Sequence, residues 1–188
     1  MAYSGSLIDS MVRAAKLDPD LYEEVEHDSS ANGHALAVVV IVSLAGGIGT
    51  GLSALIDGEG SLWLLWGLLI GLGGGILGWL VWAAVTLLVG RGIFATSDTE
   101  ADYGQMARTL GFATSPGVLG FFGFVPFLGG LVLFVASIWR LVAGVIAVRQ
   151  ALDFSTWRAI GTVVVGWIVY ILLGIALGAF IGGASLLF

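Results

Sequence analysis

The sequence predicts an all-α polytopic membrane protein, with five transmembrane helices behind a short amphipathic and acidic N-terminal helical segment. Two observations lead there. Of the 188 residues, 58% are hydrophobic and only 11% charged, and the mean hydropathy is +1.03. Soluble domains run near 45–50% apolar and about 25% charged, and a soluble fold of this size keeps too much surface in water to hide the excess. The second observation is where the charges fall: near the N-terminus and in short connectors, with Arg140 the one exception. Between them lie uncharged stretches at 35–56, 60–90, 109–139 and 159–188.

About 20 residues cross a bilayer core at 1.5 Å per residue. The stretch 35–56 is one span. In 60–90, Trp63 and Trp66 suit the headgroup boundary, which leaves a span over 67–89. The third apolar region runs on to Val148 past Arg140, and Pro126 with Gly129 and Gly130 breaks it in the middle. Proline and clustered glycines turn a chain, so this region reads as a hairpin of spans 106–124 and 127–149. The last span is 156–181.

The basic residues test the number of crossings. With five spans and the N-terminus inside, the inner side holds Arg13, Lys16, Arg91, Arg108, Arg149 and Arg158, and the outer side holds none. A single span over 109–149 would move Arg149 and Arg158 outside. The positive-inside rule therefore predicts five spans in the cell (inner or plasma) membrane, with a cytoplasmic N-terminus and the C-terminus outside.

Residues 1–33 form the expected cytoplasmic segment and 34–188 the membrane domain. The first 30 residues carry seven carboxylates, so no cleavable signal is expected. Leu7, Ile8, Met11, Val12 and Ala15 recur at helical spacing opposite Ser10, Arg13 and Lys16. Such a helix suits the membrane surface or the protein's own inner loops. Asp18-Pro19-Asp20 then starts a second helix with a capping carboxylate and proline at the first position.

Several chemistries are excluded or disfavoured. With no cysteine and a net charge of −6, thiolate chemistry is absent and nucleic acid is an unsuitable partner. His27 and His34 are the only histidines, too few converging ligands for a metal. No hydrolase motif or pair of membrane aspartates is present. Neither a catalytic residue nor a cofactor is expected.

Two sets of residues stand out instead. Gly67, Gly71 and Gly75, and again Gly174, Gly178 and Gly182, recur four apart, a spacing that lets helices approach closely in lipid. They serve either packing within the bundle or contact with another copy or subunit. Arg140 is the one charge deep in a span, and an intramembrane arginine costs about 2.5–3.5 kcal/mol on insertion scales. Its expected partners are carbonyls freed at Pro116, the hydroxyls of Thr114 and Ser115, or lipid phosphate. Pro116 removes the helical donor for the Phe112 carbonyl and predicts a kink.

Residues 108–116 (Arg-Thr-Leu-Gly-Phe-Ala-Thr-Ser-Pro), the Pro-Phe-Leu-Gly-Gly hairpin at 126–130 and the connector from Val148 through Ser155 to Ala159 resemble the Yip (Ypt-interacting protein) domain family, in particular its prokaryotic members. The resemblance covers roughly 34–181 and implies five spans, a cytoplasmic N-terminus and no catalytic residues. Eukaryotic members act in membrane traffic and bind small GTPases through a cytoplasmic aspartate-leucine-tyrosine-glycine-proline motif. Here it is half matched, as Asp20-Leu21-Tyr22-Glu23-Glu24, so that partner class is not carried over.

The expected function is that of a non-enzymatic membrane organiser or accessory subunit, packing with itself or with other membrane proteins in the lipid bilayer. The alternative is a small transporter or channel subunit for an anion or polar solute, with Arg140 and the Pro116 kink lining the path. A water-filled cavity reaching Arg140 would favour the alternative, and a lipid-facing or closed bundle would favour the first. For topology, single cysteines at Ser4, Ser97 or Ser155 should label only from the cytoplasm, and at Ser61 or Ser185 only from outside. Labelling of Ser155 from outside would overturn five spans.

Overall fold

The computed structural model describes residues 5–97 and 99–184, without the side chains of residues 177, 178 and 180–184. Residues 4 and 185, named above for labelling, and the side-chain surroundings of Gly178 and Gly182 lie outside what is described. The described chain is helical, with no strand among these residues.

Two short helices open it. Helix α1 (Leu7–Ala15) is capped by the Ser6 hydroxyl, which accepts from the Asp9 amide. Helix α2 (Pro19–His27) starts on Asp18, whose carboxylate accepts from the Asp20 amide, with proline in the first turn. A single 3-10 turn at Ser29–Ala31 leads into α3 (Asn32–Ile56) and then α4 (Leu62–Ile93). Helix α5 (Tyr103–Ala113) carries a capping box of Asp102 and Gln105. A 3-10 segment, Ser115–Phe124, follows; α6 (Gly129–Ala151) and α7 (Thr156–Ala184) complete the bundle.

Four helical segments are long and apolar enough to cross a membrane by themselves: Ser29–Ile56, Leu62–Ile93, Gly129–Ala151 and Thr156–Ala176. The crossing expected over 106–124 is composite. It is α5 followed by the 3-10 segment, in place of one kinked α-helix. Pro116 sits in the first turn of that segment, where its missing N–H costs nothing. The Ser115 hydroxyl donates to the Phe112 carbonyl at 2.6 Å, and Thr114 donates to the Gly111 carbonyl at 2.7 Å. The acceptor orphaned by proline is thus satisfied within one residue.

This composite element keeps pace with α3. Gly111 faces Ala35, Gly117 faces Val42 and Gly120 faces Gly46, so the two run parallel. Eleven residues of α3 rise about 16 Å. The matching nine residues, mostly at 3-10 rise, also give about 16 Å. By the same reading α4 is antiparallel to α3, because Ser43 meets Gly75 and Gly51 meets Leu64. Helix α7 is antiparallel to α4, pairing Gly166 with Trp82 and Thr86, and Gly161 with Phe94. The hairpin into α6 is tight: Phe127 lies at φ 65°, and a Cβ on Gly129 would overlap the Gly123 carbonyl oxygen.

All six basic residues outside the spans gather at one end of the bundle. Arg108 of α5 reaches into the close of α2, donating from Nε to the Val25 carbonyl at 2.9 Å, from Nη2 to the Glu26 carbonyl at 2.5 Å and from Nη1 to Asn32 Oδ1 at 3.2 Å. Arg158 donates to the Phe94 carbonyl, and Gln150, beside Arg149, donates to Glu23. Arg13 pairs with Asp18 and Glu24, and Arg91 lies in the last turn of α4. The most deeply buried large side chains, Tyr22, Phe112, Leu21, Met106 and Leu152, also lie at this end. The bundle therefore has a solid base where the N-terminal helices dock.

Within that base Glu26 is 4% exposed. Its Oε1 accepts from Gln105 while Oε2 has no partner among the described residues. Burial pushes its carboxyl up to about 7. A carboxyl raised in the folded state contributes stability below its unfolded value, near 4.5, and loses it as pH climbs towards 7. His27, raised chiefly by its hydrogen bond to the Glu23 carbonyl, acts in the same direction. The purified protein should therefore melt a few degrees higher at pH 5 than at pH 8, the effect of roughly 1–3 kcal/mol. Glu26→Gln should remove most of that difference, and an unaltered pH profile in this variant would show that Glu26 is not the titrating group.

Candidate intramembrane cavity at Arg140

Glycine sets how closely the spans approach. A Cβ on Gly67 would lie 2.6 Å from the Gly47 carbonyl oxygen, one on Gly71 would lie 2.8 Å from Gly47 Cα, and one on Gly75 would overlap the Ser43 hydroxyl. These three glycines put α4 directly on the backbone of α3. On its other side α3 meets the 3-10 segment just as closely, because Gly49 faces the carbonyls of Gly120 and Phe121. A Cβ on Gly174, by contrast, would meet nothing within 4 Å among the described residues.

Helix α3 thereby holds α4 to one side and the 3-10 segment, with α6 against it, to the other. Between α4 and α6 remains a cavity of about 680 Å³, within the size range of ligand pockets. Its walls include Ser43 and Gly47 of α3, Trp63 through Trp82 of α4, Gly117 and Gly120 of the 3-10 segment, Leu133 through Gly144 of α6, and Trp167 and Tyr170 of α7. From Trp63 to Trp82 it runs about 28 Å along α4. The packed base closes its lower end. Ile70, Trp167 and Leu141 line it and are exposed, as are Ser137 and Arg140, so the cavity opens onto the bilayer.

Arg140, at the middle of α6, is the one charged residue in this lining. Its Cδ and Nε lie against Gly117, where a Cβ would come within 3.0 Å and 3.3 Å of them. Thr114 and Ser115 spend their hydroxyls on their own helix. No hydrogen bond or salt bridge to Arg140 occurs among the described residues. The wall around it contains no carboxylate, and no group of three metal-binding side chains converges among the described residues. Across the cavity Tyr170 stacks edge-on with Trp82 at 5.8 Å.

Of the residues the sequence singles out, the structure brings Gly67, Gly71, Gly75, Thr114 and Arg140 to one cavity, and places Ser115 and Pro116 behind it as buried supports. The tryptophan side of the cavity is legible only in three dimensions, as is Arg108 as the clamp on α2. Helix α5 is buried on every face from Met106 to Ala113, so it offers no periodicity that would set Arg108 apart.

Four apolar crossing helices, a composite fifth crossing, and a cavity walled by their glycines define a multi-pass α-helical membrane protein. The model of the Yip1 domain matches residues 17–178, and the chain belongs to that family. No curated protein matches the chain. No solved structure matches it either.

Replacing Gly71 or Gly75 by leucine should force α4 away from α3, since overpacking of this kind costs typically 1–3 kcal/mol. We expect a melting temperature several degrees lower in mild detergent for either variant. Unchanged melting would show that this contact does not hold the bundle.

Proposed function

We propose that this chain is a non-enzymatic protein of the cell membrane, N-terminus in the cytoplasm, whose intramembrane cavity receives an anionic group at Arg140. One observation carries the reading: a guanidinium at mid-span faces an open, ligand-sized cavity with neither a carboxylate nor a hydrogen-bond acceptor engaged. A desolvated arginine without a partner is costly, and an anion would offset that cost with charge-assisted, often bidentate, hydrogen bonds. Binding, retention or passage of such a ligand needs no catalytic group, and the cavity wall offers no nucleophile-and-base pair.

A second reading, an assembly subunit or homo-oligomer, has a different surface. Gly67, Gly71 and Gly75 are already occupied by α3. In the outer part of α7, residues 171–176 are all exposed and Gly174 is uncovered. This face is the one on which another membrane helix would pack.

Arg140→Leu separates binding from folding. The variant should melt at or above the wild-type temperature, because it loses an intramembrane charge and no intramolecular bond. Wild type should be stabilised by several degrees by at least one anion from a panel of soluble anions and acidic lipids, each paired with an uncharged counterpart. The leucine variant should respond to none. Equal stabilisation of both proteins would refute the assignment to Arg140.

A further inference from the structure

Three helices each bring one hydrogen-bond donor to the glycine face of α4, within about one turn of each other. Ser43 of α3 is 7% exposed, and its hydroxyl stands against Gly75. The Tyr170 hydroxyl of α7 stands 3.0 Å from where a Cβ on Gly78 would lie, one turn nearer the base. Gly117 touches both Arg140 of α6 and Val42, the neighbour of Ser43, so the guanidinium lies at the same height. Neither hydroxyl forms a hydrogen bond among the described residues, and Arg140 forms none either.

Towards the base the polarity ends. Gly144 lies one turn below Arg140 on α6 and is buried, yet a Cβ there would meet nothing within 4 Å among the described residues. It faces a hollow at the closed end of the cavity, walled by Leu110, Ala113, Val163 and Trp79. The first three are at most 3% exposed, and the Trp79 indole N–H is spent on the Ala107 carbonyl at 2.8 Å. An apolar hollow stays dry and accepts an apolar guest. Ala147, about 10 Å below Arg140, already belongs to the packed core, so the depth suits one ring or a short branched chain. Sulfate or phosphate would use the donors and leave this hollow empty.

We propose that the occupant of the Arg140 site is a small organic carboxylate, its oxygens held between Arg140, Ser43 and Tyr170 and its compact apolar body filling the hollow at Gly144. This rests on the reading of the cavity as an anion site and names the class of anion. The fork of the guanidinium matches a carboxylate, and the indole wall suits an aromatic body, which packs edge-to-face against such rings.

The test titrates the intact protein in mild detergent with acetate, phenylacetate, sulfate and the uncharged phenylacetamide, reading apparent affinity from the shift in melting temperature. Arg140→Leu is run in parallel to subtract any effect on the micelle. Phenylacetate should bind about thirtyfold more tightly than acetate, because its ring leaves water. Sulfate and phenylacetamide should bind no better than acetate. Gly144→Leu fills the hollow and should bring phenylacetate down to the level of acetate, while Ser43→Ala should weaken both carboxylates about fivefold. Melting and circular dichroism confirm that each variant is folded. Should the leucine variant not fold, Gly144→Ala, whose methyl enters free space, carries the same test and should reduce the preference for phenylacetate. Equal affinity for acetate and phenylacetate through Arg140, or an unchanged preference in the folded Gly144 variant, would overturn the organic body and leave the anion site standing. No response to any anion, or the same response in Arg140→Leu, would overturn both.

Discussion

Backbone-to-backbone contact of α3 with its two neighbours is the constraint on which the arrangement depends. In lipid there is no hydrophobic force between helices, so contact must come from close van der Waals packing and hydrogen bonds. Gly47 against Gly67 and Gly71, and Gly49 against Gly120 and Phe121, provide it. Because α3 holds both partners this tightly, they stand on opposite sides of it. The partner of the 3-10 segment, α6, is then carried away from α4, and the space between them is the cavity. The same small residues that close one interface open the next.

The opposite end of the bundle is held by other means. Arg108 donates to the last carbonyls of α2 and to Asn32, placing a cation where the helix dipole is negative. Tyr22 is fully buried below it and donates to the Ala14 carbonyl at 3.3 Å. Trp139 donates to the Ala15 carbonyl at 2.7 Å, tying α1 to the span that carries Arg140. Helix α4, with 32 residues, is about 48 Å long against a hydrocarbon core of about 30 Å. Its buried residues, Ala83 through Gly90, all lie towards the base. A clamped base and a splayed opposite half follow from that asymmetry, and the cavity occupies the splayed half.

Much of this was legible in the sequence because lipid leaves few alternatives. Spans must be long, apolar and hydrogen-bonded within themselves, so 35–56 and 156–181 correspond closely to α3 and α7. Arg140 was legible because a charge in a span is costly, and Pro116 because it lacks a donor. The form taken around Pro116 was not: Ser115 answers the Phe112 carbonyl locally, and the chain proceeds as a 3-10 segment without an α-helical kink. The spacing of Gly67, Gly71 and Gly75 announced a close contact without naming the partner, since any smooth backbone would serve. The cavity was beyond reach altogether. It depends on which helices fail to touch, and no residue type records that.

The most direct measurement is the density inside the protein, determined at side-chain resolution in a nanodisc, in the presence of an anion that stabilises the wild type. The account predicts an open cavity between α4 and α6, with bound density against the Arg140 guanidinium. Packing of α4 directly on α6, with the cavity closed and Arg140 turned to carbonyls of its own bundle, would contradict it.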